Sequence, residues 1–415
     1  MIEFILDLSF RLPNSKASFM NIVIKSLFLI FVASFLLVRF TPLAIANPRG
    51  IEQVRTAVET AIRPIVKSAE SYLEQKTCFT CHHQALPVMA AVRAEAIGLK
   101  VDRKWLEIQR KFTADFFLQR KVELVKGHGV PGGAFTAGYA LAQFVATSQI
   151  TAIGEPKRLE GTDELLDYLL KIYKPERPWK INTIRPPLES SDFTATGLAI
   201  AALSTYELEE LMKHAGEIRT WYANTVASSA EDRAFQLMGW YWLTNAHSYH
   251  HALKTVPACP TDRRKMGKKL EQLKEPKYPE MEVDTERLQA MVGQLKQRQR
   301  EDGGWAQTDD MESDAYATGI TMAALLMAQP ELAHEKWYFR GVKYLLETQK
   351  KDGSWLVLTR SKPIQEYFES DFPHGEDQFI SISASCWSVI ALSQYIDVYT
   401  SPSKELVLQR FRRDL

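Results

Sequence analysis

The residues best suited to chemistry in this sequence are the cysteines and histidines of residues 78–83, Cys-Phe-Thr-Cys-His-His. Two thiols separated by two residues and followed at once by a histidine form the attachment pattern of a c-type haem. In such a site both sulfurs bond to the porphyrin, and one helical turn brings them to the same edge of the ring. The pattern therefore predicts a covalent haem c held by Cys78 and Cys81, with His82 as the ligand of the metal.

Three other interpretations of the same residues stay open. Cys78 and Cys81 could form a disulfide, or could pair with Cys259 and Cys386, because four cysteines allow three pairings. They could bind zinc with a neighbouring histidine, although the second cysteine pair of a zinc ribbon is missing. The thiols could also be inert.

The segment ahead of this motif has the pattern of a secretory signal. Lys25 precedes an apolar run over residues 26–38, and Ala44-Ile-Ala46 supplies the small residues of a cleavage site. The apolar run is short for a membrane span. We expect residues 1–46 to be a signal peptide, or a membrane anchor if they are not cleaved. The protein is then expected outside the cytoplasm, periplasmic or secreted, where haem is attached.

The composition indicates a globular body with a sizeable core. The chain has 415 residues, 46% of them hydrophobic, and a formal net charge of +1. A charge so close to zero gives no reason to expect nucleic acid as a partner. We expect contact with a membrane only through an uncleaved signal segment.

A repeated unit indicates how the body is built. Residues 299–305 (Gln-Arg-Glu-Asp-Gly-Gly-Trp) recur as residues 349–355 (Gln-Lys-Lys-Asp-Gly-Ser-Trp) with the same spacing of Gln, Asp, Gly and Trp. The small-residue stretch 313–325 aligns without a gap with residues 191–203. Each Asp-Gly turn can reverse the chain after a helix, and the Trp can close that turn. Repetition at tens of residues predicts stacked or circularised helical pairs.

The two units at 299–305 and 349–355 resemble the QW repeats of squalene-hopene and oxidosqualene cyclases. The resemblance implies an all-α fold, the (α/α) toroid that these cyclases share with protein prenyltransferase β subunits. The hopene cyclases contain two such domains, and the body of this chain is long enough for a single toroid. With its CxxCH motif, the chain is similar to an extracytoplasmic branch of squalene-cyclase-like proteins.

The expected organisation follows from these patterns. We expect an N-terminal helix and the CxxCH motif over residues 47–84, the toroid over 85–398 and a C-terminal tail over 399–415. Within the toroid, apolar periodicity predicts helices over 193–214 and 217–226, and prolines predict an irregular segment over 174–190. An insertion at 365–380, in which aromatic residues alternate with acids, is expected at one mouth of the toroid as a lid or cavity wall.

The resemblance also implies candidate catalytic acids. Hopene cyclases protonate an alkene with an aspartic acid of an Asp-x-Asp-Asp-Thr-Ala motif at a helix start. The corresponding positions here make Asp314, Asp309 and Asp310 the candidates, but Ser313 replaces the carboxylate that should adjoin Asp314. Asp314 also has a simpler interpretation as a helix N-cap.

The sequence thus favours an extracytoplasmic toroid that carries a haem c and acts in electron transfer or in redox chemistry on a bound, apolar ligand. Its expected partners are an apolar or isoprenoid ligand in the toroid cavity and a redox partner. One alternative is a terpenoid or lipid cyclase that works by carboxylic-acid protonation. The other is a noncatalytic scaffold that binds a partner through the insertion at 365–380.

Overall fold

The computed structural model describes residues 48–148, 157–255 and 284–400. The predicted signal segment, Cys259 and the tail beyond residue 400 lie outside the described residues. In chain order the helices are α1 (Pro48–Gln75), α2 (Leu86–Ala96), α3 (Arg103–Leu118), α4 (Lys121–Val125), α5 (Ala134–Thr147), α6 (Thr162–Ile172), α7 (Asp192–Tyr206), α8 (Leu208–Asn224), α9 (Ala230–Thr255), α10 (Thr285–Gln297), α11 (Ala315–Ala328), α12 (Lys336–Thr348) and α13 (Gln378–Thr400). Two short strands, Trp305–Ala306 and Ser313–Asp314, pair in antiparallel fashion.

Six helices form the inner wall of a closed ring, and they are α2, α5, α7, α9, α11 and α13. Each contacts the next in that order, and α13 returns to contact α2. Each inner helix follows an outer helix along the chain, so the six inner helices run in the same direction and start at the same end of the ring. The chain therefore folds as a single (α/α) toroid, which confirms the predicted fold class.

Small residues allow the inner helices to pack closely. Every residue of α7 from Phe193 to Tyr206 is buried, as expected for a helix that is apolar all round. On α11, a Cβ added at Gly319 would lie 2.7 Å from the backbone nitrogen of Ser388 on α13. The small-residue stretches noted in the sequence therefore set the distance between neighbouring inner helices.

A tryptophan closes the turn between outer and inner helices at three places. The indole nitrogens of Trp305 and Trp355 donate to the carbonyl oxygens ten residues earlier, Leu295 and Leu345, at 2.7 and 2.8 Å. The indole nitrogen of Trp179 donates to the carbonyl oxygen of Leu169 at 2.9 Å, so Trp179 closes a third copy of the turn. This third copy lies in the segment predicted only as irregular.

Residues 51–84 of the predicted N-terminal segment (47–84) are part of the ring. Helix α1 is the outer member of the first helical pair, and its Ala57 and Ala69 carbonyls accept from Gln349 at 2.9 Å and from Gln109 at 3.1 Å. Among the described residues, the stretch Gly375–Thr400 alone has the length and hydropathy of a membrane span. Its apolar window is 94% buried within the protein, as in a core helix.

Candidate functional site

A pocket opens at the end of the ring where the inner helices begin. Its volume is about 230 Å³, and its wall includes His82, Arg185, Glu189, Tyr367 and Phe379. Three segments that are distant in the sequence form it: the start of α2, the loop before α7 and the insertion before α13. The insertion lies at the mouth of the toroid, where the sequence predicted it. We call this cavity the mouth pocket.

The chain enters α2 through a wide π turn over Cys81–Ala85. Thr80 caps this turn, because its Oγ1 accepts from the backbone nitrogen of His83 at 3.2 Å. Gln84 completes the cap, and its Oε1 accepts from the backbone nitrogen and the hydroxyl of Thr80 at 2.8 and 2.9 Å. Single π turns inside helices often occur at functional sites. This one places His82 and His83 side by side.

The two imidazoles form a hydrogen-bonded pair. Nδ1 of His82 lies 2.5 Å from Nδ1 of His83, and the His83 ring stacks on Tyr72 with centroids 4.9 Å apart. Burial, with the positive charge of Arg185, lowers the pKa of His82 to about 3. Burial, with the neighbouring His82, lowers the pKa of His83 well below its usual range. Both rings are therefore neutral at pH 7.

The protonation of this pair follows from one unpartnered atom. Nε2 of His83 is buried and has no hydrogen-bond partner. A buried N–H without an acceptor is costlier than a bare ring nitrogen, so we infer that Nε2 of His83 carries no proton. The proton of His83 is then on Nδ1 and is donated to Nδ1 of His82. His82 consequently carries its own proton on Nε2, the ring nitrogen left to meet a ligand in the mouth pocket.

Arg185 and Glu189 stand at the two ends of a tight turn. Their backbones exchange hydrogen bonds of 2.6 and 3.0 Å, and their side chains form an ion pair. The hydroxyl of Thr183 donates to Oε1 of Glu189 at 2.7 Å. The mouth pocket thus contains a fixed cation, a carboxylate and a neutral imidazole.

The predicted haem ligands do not share one cavity. Cys81 is buried in the hydrophobic core, where burial and then the charge of Glu189 raise the pKa of its thiol. The Cys78 sulfur lies 3.1 Å from the Tyr72 hydroxyl. His82 borders the mouth pocket, but neither sulfur does. The pocket volume also falls below the roughly 300–1,000 Å³ of cavities for drug-sized ligands, and a porphyrin is larger than most of these.

The residues as arranged therefore do not fit a covalent haem, for which the sequence motif remains the only support. The thiols of Cys78, Cys81 and Cys386 are free, so no disulfide joins them. Within residues 48–148, 157–255 and 284–400 no three His, Cys, Asp or Glu side chains form a cluster that could hold a metal ion, zinc included.

Absorption spectroscopy checks the haem. We expect the protein, made in a periplasm that contains the haem-attachment machinery, to be colourless and to have the mass of the bare polypeptide. Cys78→Ser should change neither property, because no thioether bond is lost. A Soret band together with a mass increased by one haem, both lost in Cys78→Ser, would contradict this expectation.

The three candidate acids of the sequence are not brought together. Asp309 and Asp310 are exposed, and hydrogen bonds from Arg298 and Thr308 lower the pKa of each carboxyl. Asp314 caps α11, and its Oδ1 accepts from the backbone nitrogen of Ala317 at 2.9 Å. Burial raises its pKa to about 6. Asp309 and Asp310 are thus ordinary surface carboxylates, and Asp314 fulfils the simpler prediction of an N-cap.

The carboxyl group whose pKa is raised furthest in the described part of the ring was not identified from the sequence. Glu231 is fully buried at the start of α9, and its two oxygens accept from the hydroxyls of Thr194 and Tyr316, both at 2.7 Å. Burial raises its pKa to about 8, so that it is a neutral acid at pH 7. Burial, and then the charges of an ionised Glu231 and an ionised Cys81, raise the pKa of Tyr316. These groups therefore form one buried polar cluster inside the ring.

The interior at the opposite end of the ring is nearly filled. Phe235, Trp242 and Trp387 border a cavity of about 30 Å³ there. A space of that size holds about one water molecule. An apolar or isoprenoid ligand therefore does not fit there, and the mouth pocket is the better candidate for a ligand site.

No known protein family matches the sequence, and no curated protein matches it either. Among solved structures the chain is similar to type II terpene cyclase MstE from Scytonema without ligand, with a TM-score of 0.46 and 13% identity over 84% of this chain and 99% of that one. It is also similar to a variant of MstE in complex with the product merosterolic acid A, with a TM-score of 0.46 and 12% identity over 84% of this chain and 98% of that one. A possible member of the GH105 family from Salmonella enterica is similar with a TM-score of 0.44 and 12% identity over 84% of this chain and 95% of that one. Similarity at this level carries no information about the activity of the chain.

Proposed function

We propose that this protein is an enzyme that acts on a small ligand bound in the mouth pocket. It removes a proton from the carbon atom next to a carbonyl group of that ligand. The observation that carries the proposal is the neutral His82, whose Nε2–H remains available in the pocket that the carboxylate of Glu189 also borders. A carboxylate base and a neutral imidazole donor are a known combination for this reaction class. The ligand has a small apolar body, which packs against Phe379 and Tyr367.

The roles follow from the protonation states. Glu189 removes the proton next to the carbonyl, and Arg185 holds the carboxylate in place through their ion pair. His82 donates a hydrogen bond from Nε2 to the carbonyl oxygen, where negative charge develops. His83 is a positioning residue, since its Nδ1–H fixes the proton of His82 on Nε2. Because the pKa of His82 is low, the imidazole keeps this role throughout the neutral pH range.

This proposal replaces the two chemistries expected from the sequence. The positions of the two thiols do not support redox chemistry through a haem. Asp314 lacks the adjoining carboxylate that protonation of an alkene would need. A location outside the cytoplasm stays part of the proposal, supported by the signal pattern of residues 1–46. That segment lies outside the described residues.

Deuterium exchange tests the proposal without knowledge of the physiological substrate. A panel of small ketones and 2-keto acids with apolar side chains is incubated with the protein in D₂O, and label next to the carbonyl is measured by NMR. We expect exchange to fall about 100-fold or more in Glu189→Gln and in His82→Ala. Glu366→Gln, the same change on the exposed rim of the pocket, should exchange like the wild type. Exchange in no compound, or equal exchange in Glu189→Gln and the wild type, would refute it.

A second candidate function is that of a noncatalytic scaffold. Exposed apolar side chains around the mouth of the ring favour it. Ile184, Ile364 and Tyr367 are 86%, 66% and 49% exposed. Scattered apolar residues are normal on a protein surface, but Ile364 and Tyr367 border the mouth pocket and Ile184 precedes Arg185 of its wall. A scaffold would lose its ligand in Tyr367→Ala and keep it in Glu189→Gln. The enzyme would lose turnover in Glu189→Gln and still bind.

A further inference from the structure

A second, larger cavity lies on the outside of the ring, where the end of α8 and the start of α9 meet α10. Its volume is about 820 Å³. The charged and amide side chains that border it are Arg233, Gln236, Arg287, Gln294, Gln297 and Arg298. Three arginines and three glutamines border this space, and no acidic side chain of residues 48–148, 157–255 and 284–400 does. We call it the arginine groove.

Arg233 is the most unusual side chain of the groove. It is only 8% exposed, yet no carboxylate of the described chain forms an ion pair with it. Burial and then the neighbouring charge of Arg298 lower the pKa of its guanidinium. The charges of Asp309 and Asp232 act in the opposite direction and offset these effects only in part. A buried charge without an ion-pair partner is destabilising, so such a side chain is expected where a ligand supplies the opposite charge.

Arg287 is held in place from two sides. Its Nη2 donates to the Tyr222 carbonyl at 2.8 Å, and its guanidinium lies over the Trp240 ring, 4.8 Å from the centroid. Its Nε is buried and has no partner. Cation–π stacking fixes the guanidinium plane before a ligand arrives, which reduces the entropy lost on binding.

Arg298 completes the positive face. It pairs with Asp309, an exposed carboxylate that does not itself border the groove. The groove therefore offers one unpaired guanidinium, one stacked guanidinium with a free N–H and one that a surface carboxylate neutralises. Guanidinium groups in fixed positions recognise the paired oxygens of phosphate groups well, and the glutamine amides can donate further hydrogen bonds.

We propose that the arginine groove binds a phosphate-bearing small molecule, with Arg233 as the central contact. The volume exceeds that of inorganic phosphate, so we expect a diphosphate or an organic phosphate to bind more tightly than phosphate itself. The proposal is independent of the chemistry at the mouth pocket, because it concerns a different wall of the ring and is measured by binding.

Binding of inorganic pyrophosphate to the full chain tests the proposal by titration calorimetry and by the rise in melting temperature. We expect saturable binding, weaker for phosphate and absent for chloride at equal ionic strength. Arg233→Gln should weaken pyrophosphate binding at least tenfold and Arg298→Gln less. Arg63→Gln, which changes an exposed arginine of α1 that is 71% accessible, should bind like the wild type.

Arg233→Gln is expected to fold, because the substitution removes a buried, unpaired charge. The proposal is overturned if the wild type shows no saturable binding at millimolar pyrophosphate. It is also overturned if Arg233→Gln and Arg63→Gln bind pyrophosphate equally well. Tighter binding of a phosphate ester than of pyrophosphate would identify an organic phosphate as the ligand class.

Discussion

Glu231→Gln is expected to make the protein more stable at pH 8 while leaving its stability at pH 4 to 5 little changed. The pKa of Glu231 is about 8 in the folded chain, and the unfolded value is near 4.5. Between these values the folded chain keeps its proton and the unfolded chain loses it. Raising the pH through this window therefore favours unfolding, and the cost is complete above pH 8.

The expected gain of the variant at pH 8 is about 3 kcal/mol. Each pKa unit corresponds to about 1.4 kcal/mol, and water that enters a buried site reduces the full value. Glutamine resembles the protonated acid, since its amide oxygen can accept from one of the hydroxyls of Thr194 and Tyr316 while its NH2 donates to the other. The measurement is the free energy of unfolding in urea at pH 5, 6.5 and 8. Exposed Glu301→Gln is the control, and parallel pH profiles for wild type and Glu231→Gln would contradict the assignment.

The toroid could be predicted from the sequence because its turns repeat. The Asp-Gly-Trp units at 299–305 and 349–355 share four residue types, and the structure gives them the same hydrogen bonds. The third copy at Trp179 was missed because Lys-Pro-Glu-Arg-Pro precedes the tryptophan there. A usable signal was present, since Trp179 follows a buried leucine, Leu169, by ten residues, as Trp305 follows Leu295 and Trp355 follows Leu345.

The break between α7 and α8 was also missed. The prediction placed one helix over 193–214, but Glu207, with φ −137° and ψ 51°, ends α7 and separates it from α8. Neither glycine nor proline marks this position. The change of pattern does mark it, because the chain passes from a helix that is buried all round to one with exposed charged residues.

The candidate site was predicted only in part for a different reason. His82 was singled out, and it does border a pocket, but Arg185 and Glu189 come from a loop that the sequence identified only by its prolines. No local spacing connects this loop with His82, because the two segments are distant in the sequence and only tertiary packing brings them together. Glu231 resembles an ordinary first-turn acid of a helix, and its burial becomes visible only when α7, α9 and α11 are placed around it.

Gly353→Ala is expected to destabilise the protein by about 4 kcal/mol. Gly353 has φ +91°, a conformation that costs an L-residue about 1–2 kcal/mol. An added Cβ would also lie 2.4 Å from the Thr60 carbonyl oxygen on α1. Neither backbone can move freely, since the Gln349 side chain bonds both the Gly353 carbonyl and the Ala57 carbonyl of α1, at 3.0 and 2.9 Å. The overpacking adds about 1–3 kcal/mol.

Gly216→Ala is the matched control, because the same methyl group is added where nothing lies within 4 Å. Gly216 is inside α8, so alanine should stabilise the protein by about 0.5–1 kcal/mol through its higher helix propensity. The two variants therefore change the free energy of unfolding in opposite directions, which urea titration at pH 7 measures. Equal stabilities for the two variants would mean that the turn before α13 does not pack against α1, and the ring would then lack one of the contacts that join its last helical pair to its first.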